Sequence, residues 1–366
     1  MEFNQSSSDA IVSEIVDLTK ALIRFNSTRY RPEQITECAR FVEKWLADHN
    51  IACEGLVRNG VPSIRCLPEG RSTPLLLMSH IDVVDADESL FDPFEKGGRL
   101  YGRGAIDDKY AAALSMVLLK NTMLREGRNV PLGILITGDE EVGGFNGAQA
   151  CLQDVECDFC IALDGGRVDK IVVKEKGVLQ LEIVAHGKTA HGARPWMGDN
   201  AIEKLIHDCR LVKGFFPEQT DPQHWHRTAN LSLINAGKSI NQVPDRAEAV
   251  FDIRYTEKDD IDALINQIDA AVSGSVAVKM REPLFVGSES PYLERLLELA
   301  EGTRTGIAHG ASDARFLSQF GLNGIVWGAD GNDSQHSTKE HVEIESLGRL
   351  YTTLDRFVKS IMKNPL

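Results

Sequence analysis

Residues 133–144 read GILITGDEEVGG, an apolar run that ends on three consecutive acids, Asp139, Glu140 and Glu141. A short, continuously apolar segment bounded by glycine reads as a strand buried on both faces, the kind found in parallel sheets. Like charges gathered at its end repel one another. The stretch is therefore either a turn that points its acids into water or one wall of a site that holds positive charge. Working outward, two further runs share the design: residues 74–78 (PLLLM) lead to Ser79, His80, Ile81 and Asp82, and residues 159–163 (FCIAL) lead to Asp164. Three apolar strands thus deliver acidic or imidazole groups at their carboxyl ends, where open α/β sheets build their sites.

The segments between these runs have helical periodicity. Helices are expected over 11–25, 36–49 and 108–126, the last with Ala111, Leu114, Val117 and Leu118 on one face. Strands alternating with helices predict an α/β fold, a mostly parallel sheet with helices on both faces. From about residue 177 the texture changes to strand 178–185, helix 200–215, strands 229–234 and 247–255, helix 259–272 and strand 275–280. That βαββαβ order is the ferredoxin-like unit. It predicts a separate domain over 177–284 inserted into a first domain made of 1–176 and 285–366.

A chain of 366 residues, 42% hydrophobic and 26% charged, has apolar material for two cores. Its formal charge of −14 disfavours nucleic acid or an anionic membrane as partner and attracts divalent cations. No apolar stretch approaches the roughly 20 residues a spanning helix needs. No export signal is read in MEFNQSSSDA. Seven scattered cysteines do not form a disulfide framework, so a cytoplasmic location is expected, and Cys157 and Cys160, a CxxC without a second pair, read as buried or half-buried thiols.

Two more polar stretches bear on the site. In GRGAIDDK (102–109) the acids Asp107 and Asp108 stand at a helix start, where one can act as a cap and the other has no capping role to fill. His336 lies in a polar loop after the strand expected at 324–327. Taken singly, His80 reads as well as a core histidine, Asp164 as a turn residue and Asp139 as a solvent-facing acid. Their joint placement argues otherwise.

At these residues the sequence resembles the co-catalytic dizinc peptidases and deacylases, a family that includes glutamate carboxypeptidase, tripeptidase T, aminoacylase, succinyl-diaminopimelate desuccinylase and acetylornithine deacetylase. The motifs are SHIDVV, GRGAIDDK, TGDEEVGG, LDGG, GKTAHGARPWMGDNAI, NQVPDRAEAVFDIR, GASDARF and QHSTKEHVEI. The resemblance implies a zinc-exopeptidase-like catalytic domain and an inserted lid or dimerisation domain, hence a homodimer. It implies two divalent cations, zinc first and cobalt or manganese second, with His80 and Asp164 on one, Glu141 and His336 on the other, and Asp107 bridging. Asp82 would orient His80 and Glu140 would be the general base. The implied reaction is hydrolysis of an amide in a small peptide or N-acyl amino acid by a metal-bridged hydroxide. A biosynthetic N-acyl diamino acid deacylase is the alternative, and a binding protein on a retired peptidase fold a third reading.

Imidazole and carboxylate donors without cysteine suit a hydrolytic site, and a paired-cation centre can activate water and polarise a carbonyl. For the substrate, the resemblance implies His191 as an oxyanion contact reaching a partner protomer's site, Asn241 and Arg254 as carboxylate contacts, and Gly310 as a pocket-lining backbone. Arg254 could equally pair with Asp252, and Asp313 and Arg315 read as helix-start structure. Two departures from the family pattern, Ser79 before the histidine and Tyr110 after the lysine, bear on pocket shape. Asp164 followed by two glycines is more similar to the peptidase T branch, which favours a peptidase.

Overall fold

The computed structural model describes residues 5–68, 72–218 and 224–366. The chain divides into two compact units, one formed by 1–174, 286–307 and 312–366 and the other by 175–285 and 308–311. Each has its own hydrophobic core.

The first unit is built on a twisted mixed sheet. Its strands Glu54–Arg58, Val61–Cys66, Leu132–Thr137, Ser72–His80, Glu156–Ala162, Gly324–Val326 and Lys170–Glu175 lie side by side in that order. The middle four are mutually parallel, and the antiparallel pairings fall on either side of them. Every residue of Leu132–Thr137 is buried, which explains its apolar monotony. The helix Lys109–Glu126 was expected to bury one face. Instead all of its first eleven residues are buried, because it packs against the sheet, the N-terminal helix Gln5–Ile23 and the C-terminal helix Ile344–Lys363. Lys109 is enclosed too, and its Nζ donates to the carbonyls of Leu22 and Phe25 at 3.0 and 2.7 Å, closing the end of the N-terminal helix.

The second unit is a four-stranded antiparallel sheet in the order Thr228–Ala236, Arg246–Tyr255, Gly177–His186, Ser275–Glu282. Helices Ala201–Lys213 and Ile261–Ala271 share its apolar cluster. Strand Arg246–Tyr255 alternates buried and part-exposed residues along its whole length, as a sheet covered on one face requires. The four strands of this sheet and its two helices follow in the chain order βαββαβ. Short elements escaped the sequence reading: the edge strand Glu54–Arg58, the strand Lys170–Glu175 and a small sheet of Phe94–Lys96, Arg99–Tyr101 and His341–Glu343. Among the described residues no helix is long and apolar enough to cross a membrane.

Candidate metal centre

The parallel pairing sets the carboxyl ends of three strands side by side, with His80 opposite Thr137 and Met78 opposite Ala162. The chain leaving each strand carries the polar residues into one place. Two groups result, whose donor atoms lie within 4.8 Å of one another: His80, Glu140 and Asp164, and Asp107, Glu141 and His336. Asp107 joins them. Its Oδ1 is 3.0 Å from Nε2 of His80 and its Oδ2 is 3.0 Å from Nε2 of His336, one carboxylate oxygen for each imidazole. Glu141 Oε1 lies 3.3 Å from the same His336 nitrogen. The six residues come from five separate stretches of the first unit.

His80 is buried, and its Nδ1 lies 3.0 Å from the backbone carbonyl of Asp82. The Asp82 carboxylate was expected to take this proton but stands at 3.5 Å. Its two oxygens accept instead from the amides of Glu140 and Glu141, at 3.1 and 3.0 Å. Asp82 thus fixes the imidazole with its backbone and the acidic loop with its side chain.

Asp139 does not face solvent as one reading had it. It is buried and accepts from the amides of Asn146 and Gly147 at 2.9 Å each, folding the loop back on itself. The glycines after the acids serve the same fold: Gly144 has φ +64°, and a Cβ there would lie 2.0 Å from Asp313 Oδ1. Asp108 occupies the cap position of its helix without making a side-chain cap, and its Oδ2 accepts from the His80 amide at 3.4 Å.

Several positioning residues were not legible as such. Arg103 and Glu340 form a fully enclosed ion pair. Glu340 also accepts from the Gly104 amide at 2.7 Å, and Arg103 donates to the His336 carbonyl at 3.2 Å. The pair therefore ties the loop before Asp107 to the loop bearing His336. Tyr110 is fully buried; its hydroxyl donates to the carbonyl of Leu163, the residue before Asp164, at 2.7 Å and accepts from Ala329 N at 2.9 Å. It shapes the base of the site, not the pocket. Arg315, read as helix-start structure, does begin the helix Arg315–Phe320, yet its Nη1 also stands 3.7 Å from Glu140 Oε1. The clue in the sequence was the run of charges in GASDARF ahead of an apolar stretch.

The electrostatics describe a site short of positive charge. Burial pushes the Glu140 carboxyl well above the usual range, with Asp313 and Glu141 adding to it against His80 and Arg315. Burial does the same to Asp164, reinforced by Asp107 and Glu140. Burial also acts to raise Asp107, but His336 and His80 prevail and hold it low. Asp107 and Glu141 lift His336 to about 10, and His80 is held high by Asp107 and Asp82 against its burial. The donor set fits two divalent cations. It is imidazole nitrogen and carboxylate oxygen throughout, and the buried His80 Nε2 is aimed among carboxylates, 3.0 Å from Asp107 Oδ1.

In the second unit, strands Ala190–His191 and Gln242–Val243 pair so that His191 lies opposite Gln242 and next to Asn241, whose carbonyl accepts from Gly192 N at 2.7 Å. His191 is exposed and its Nδ1 accepts from Ala193 N at 3.0 Å. Arg254 sits on another strand with its guanidinium forked onto Asp252 at 2.7 and 3.2 Å. Gly310 is exposed and has open space around it. The structure thus brings His191 and Asn241 together and gives Arg254 a partner of its own.

Residues 76–360 match the family described as peptidase family M20/M25/M40. The chain belongs to this family and is a metal-dependent hydrolytic enzyme. It is 28% identical over 354 residues to a succinyl-diaminopimelate desuccinylase of Parvibaculum lavamentivorans, covering 86% of this chain and 89% of that one. A tripeptidase of Staphylococcus aureus has the same fold, with a TM-score of 0.80, 20% identity and coverage of 96% and 99% of the two chains. A dinuclear metal-binding M20 peptidase of Bacillus subtilis aligns with a TM-score of 0.65, 16% identity and coverage of 97% and 99%.

Proposed function

We propose that this enzyme cleaves the amide bond of a small peptide or an N-acyl amino acid, with Glu140 as general base beside a two-cation centre. The carrying observation is that Asp107 presents one oxygen to each histidine while Glu140 stands among the same groups. In this reading His80 and Asp164 would hold one cation, Glu141 and His336 the other, and Asp107 would serve both; zinc suits the donors best, cobalt or manganese next. When bound, the cations would supply Lewis-acid polarisation of the amide carbonyl and acidify the attacking water. Glu140 takes a proton from that water and returns it to the departing amine. Arg315 keeps the base oriented, and Asp82 holds the amides of Glu140 and Glu141.

The first unit is the catalytic domain in this proposal and the second a lid and dimerisation domain carrying His191, Asn241 and Arg254 as substrate contacts, with Gly310 lining the pocket. A homodimer is supported by Leu233 and Ile234, large apolar side chains exposed on the edge strand Thr228–Ala236. A cytoplasmic location fits seven unbridged cysteines. A deacylase acting on an N-acylated diamino acid is the second reading, favoured by the desuccinylase relatives. Zinc-loaded enzyme assayed against di- and tripeptides and against N-succinyl and N-acetyl amino acids, with release of free amine as the readout, decides between them. Release from none of these would refute amide hydrolysis.

A further inference from the structure

The CxxC at 157 and 160 is inert by geometry, because residues three apart on the strand Glu156–Ala162 point to opposite faces. A different cysteine pair, distant in sequence, is placed face to face. The edge hairpin pairs Glu54 with Arg65, and extending that register by one residue, past the start of the strand Glu54–Arg58, sets Cys53 opposite Cys66. Residues directly opposite in such a ladder have Cα atoms about 4.5 to 5.5 Å apart, inside the range a disulfide spans. The two side chains point the same way, to the face opposite the Glu54–Arg65 ion pair, where Cys66 belongs to the main core and Cys53 packs against it. The two thiols are near enough for each to perturb the other's ionisation.

We propose that Cys53 and Cys66 form a reversible dithiol–disulfide site, with half-buried Cys53 as the attacking thiol and buried Cys66 as the resolving thiol, responsive to small-molecule disulfides of the glutathione type.

The asymmetry of the pair assigns the roles. Cys53 is partly accessible, whereas Cys66 is enclosed. Each thiol shifts the ionisation of the other, and exposure decides which of them a small disulfide can reach. A thiolate that is reachable from solvent and stabilised by a neighbouring donor is the nucleophile in thiol–disulfide exchange. Cys53 attacks one sulfur of glutathione disulfide; the S–S bond breaks, and one glutathione thiolate leaves and takes up the Cys53 proton. Cys66 then attacks the Cys53 sulfur of the mixed disulfide, expelling the second glutathione thiolate, which takes the Cys66 proton. The two cysteines lose two electrons and one glutathione disulfide becomes two thiols. A cavity of about 160 Å³ lined by Cys66, Ile51, Leu119, Met123 and Leu132 gives the Cys66 side chain room to change rotamer during closure. Cys38, Cys151, Cys160 and Cys209 are buried, and Cys157, half-buried, has its thiol pushed up to about 12 by burial.

The test is to incubate the zinc-loaded, full-length enzyme with glutathione disulfide, quench with an alkylating agent and map all seven cysteines by peptide mass spectrometry. A Cys53–Cys66 linked peptide is expected to form about tenfold faster than any other thiol is lost, and to be reversed by dithiothreitol. C66S should trap a stable glutathione adduct on Cys53, and C53S should leave Cys66 unmodified. Oxidation of the wild-type enzyme that stops at a glutathione adduct on Cys53, or that consumes other cysteines first, would overturn the proposal. The mapping of the wild-type protein decides this even if a serine variant fails to fold.

Discussion

Glu140 carries the chemistry, and its neighbours show what a single substitution there should do. It is one of two adjacent glutamates whose amides are both held by Asp82, so Glu140→Gln keeps the loop in place. We expect metal content near that of the wild type and turnover lowered about 10² to 10⁴-fold. Near-normal turnover with normal metal content would remove Glu140 from the mechanism. His336 makes a second prediction, about protons. In the metal-free protein its imidazole is raised to about 10 from an ordinary 6.5, because Asp107 and Glu141 flank it. Between those values the folded state keeps a proton that the unfolded chain has lost, so this contribution to stability is present below about pH 6.5 and gone by about pH 10. Urea midpoints of chelator-treated wild type and His336→Ala should therefore converge as pH rises across that window. A constant gap would mean that the metal-free imidazole is neutral. Metal uptake displaces the same protons, so apparent zinc affinity should rise with pH.

At the scale of elements, the strands aim the ligands but the loops hold them. Asp107 and His336 lie far apart in sequence, and the Arg103–Glu340 pair with its bonds to Gly104 and His336 keeps their loops in register. Removing one partner leaves an enclosed charge without its counterpart. Arg103→Met should cost about 3 to 5 kcal/mol in stability and about 10- to 100-fold in metal affinity, read by thermal unfolding and zinc titration. Unchanged affinity would show that the two loops find their places without the pair. The periodicity at 133–137 was enough to place this strand. The hairpin strand Glu54–Arg58, in contrast, is exposed along nearly its whole length, so it carries no apolar pattern to read. The helix Lys109–Glu126 was misread for the opposite reason. Wholly enclosed helices lose the polar face that marks amphipathic ones.

Across the molecule, two cores imply two cooperative units, and the residues proposed as metal ligands all belong to the first. A ligand that binds one native unit stabilises that unit by mass action. Calorimetry should resolve two transitions. Chelation should lower the one belonging to the first unit by several degrees and leave that of the second in place. An equal fall in both would show that they unfold together or that the second unit also binds metal.

What the amino-acid sequence determined by itself was the class of fold, the βαββαβ order of the second unit and the residue types of the site. Hydrophobic periodicity and chain order are local properties, and they survive without coordinates. Tertiary structure alone decided which oxygen of Asp107 faces which histidine, that Asp139 turns inward and that Tyr110 pins the strand end beside Asp164. A side chain's partner depends on what the fold brings within a few ångströms of it, and for Asp107 that includes His336, more than two hundred positions away.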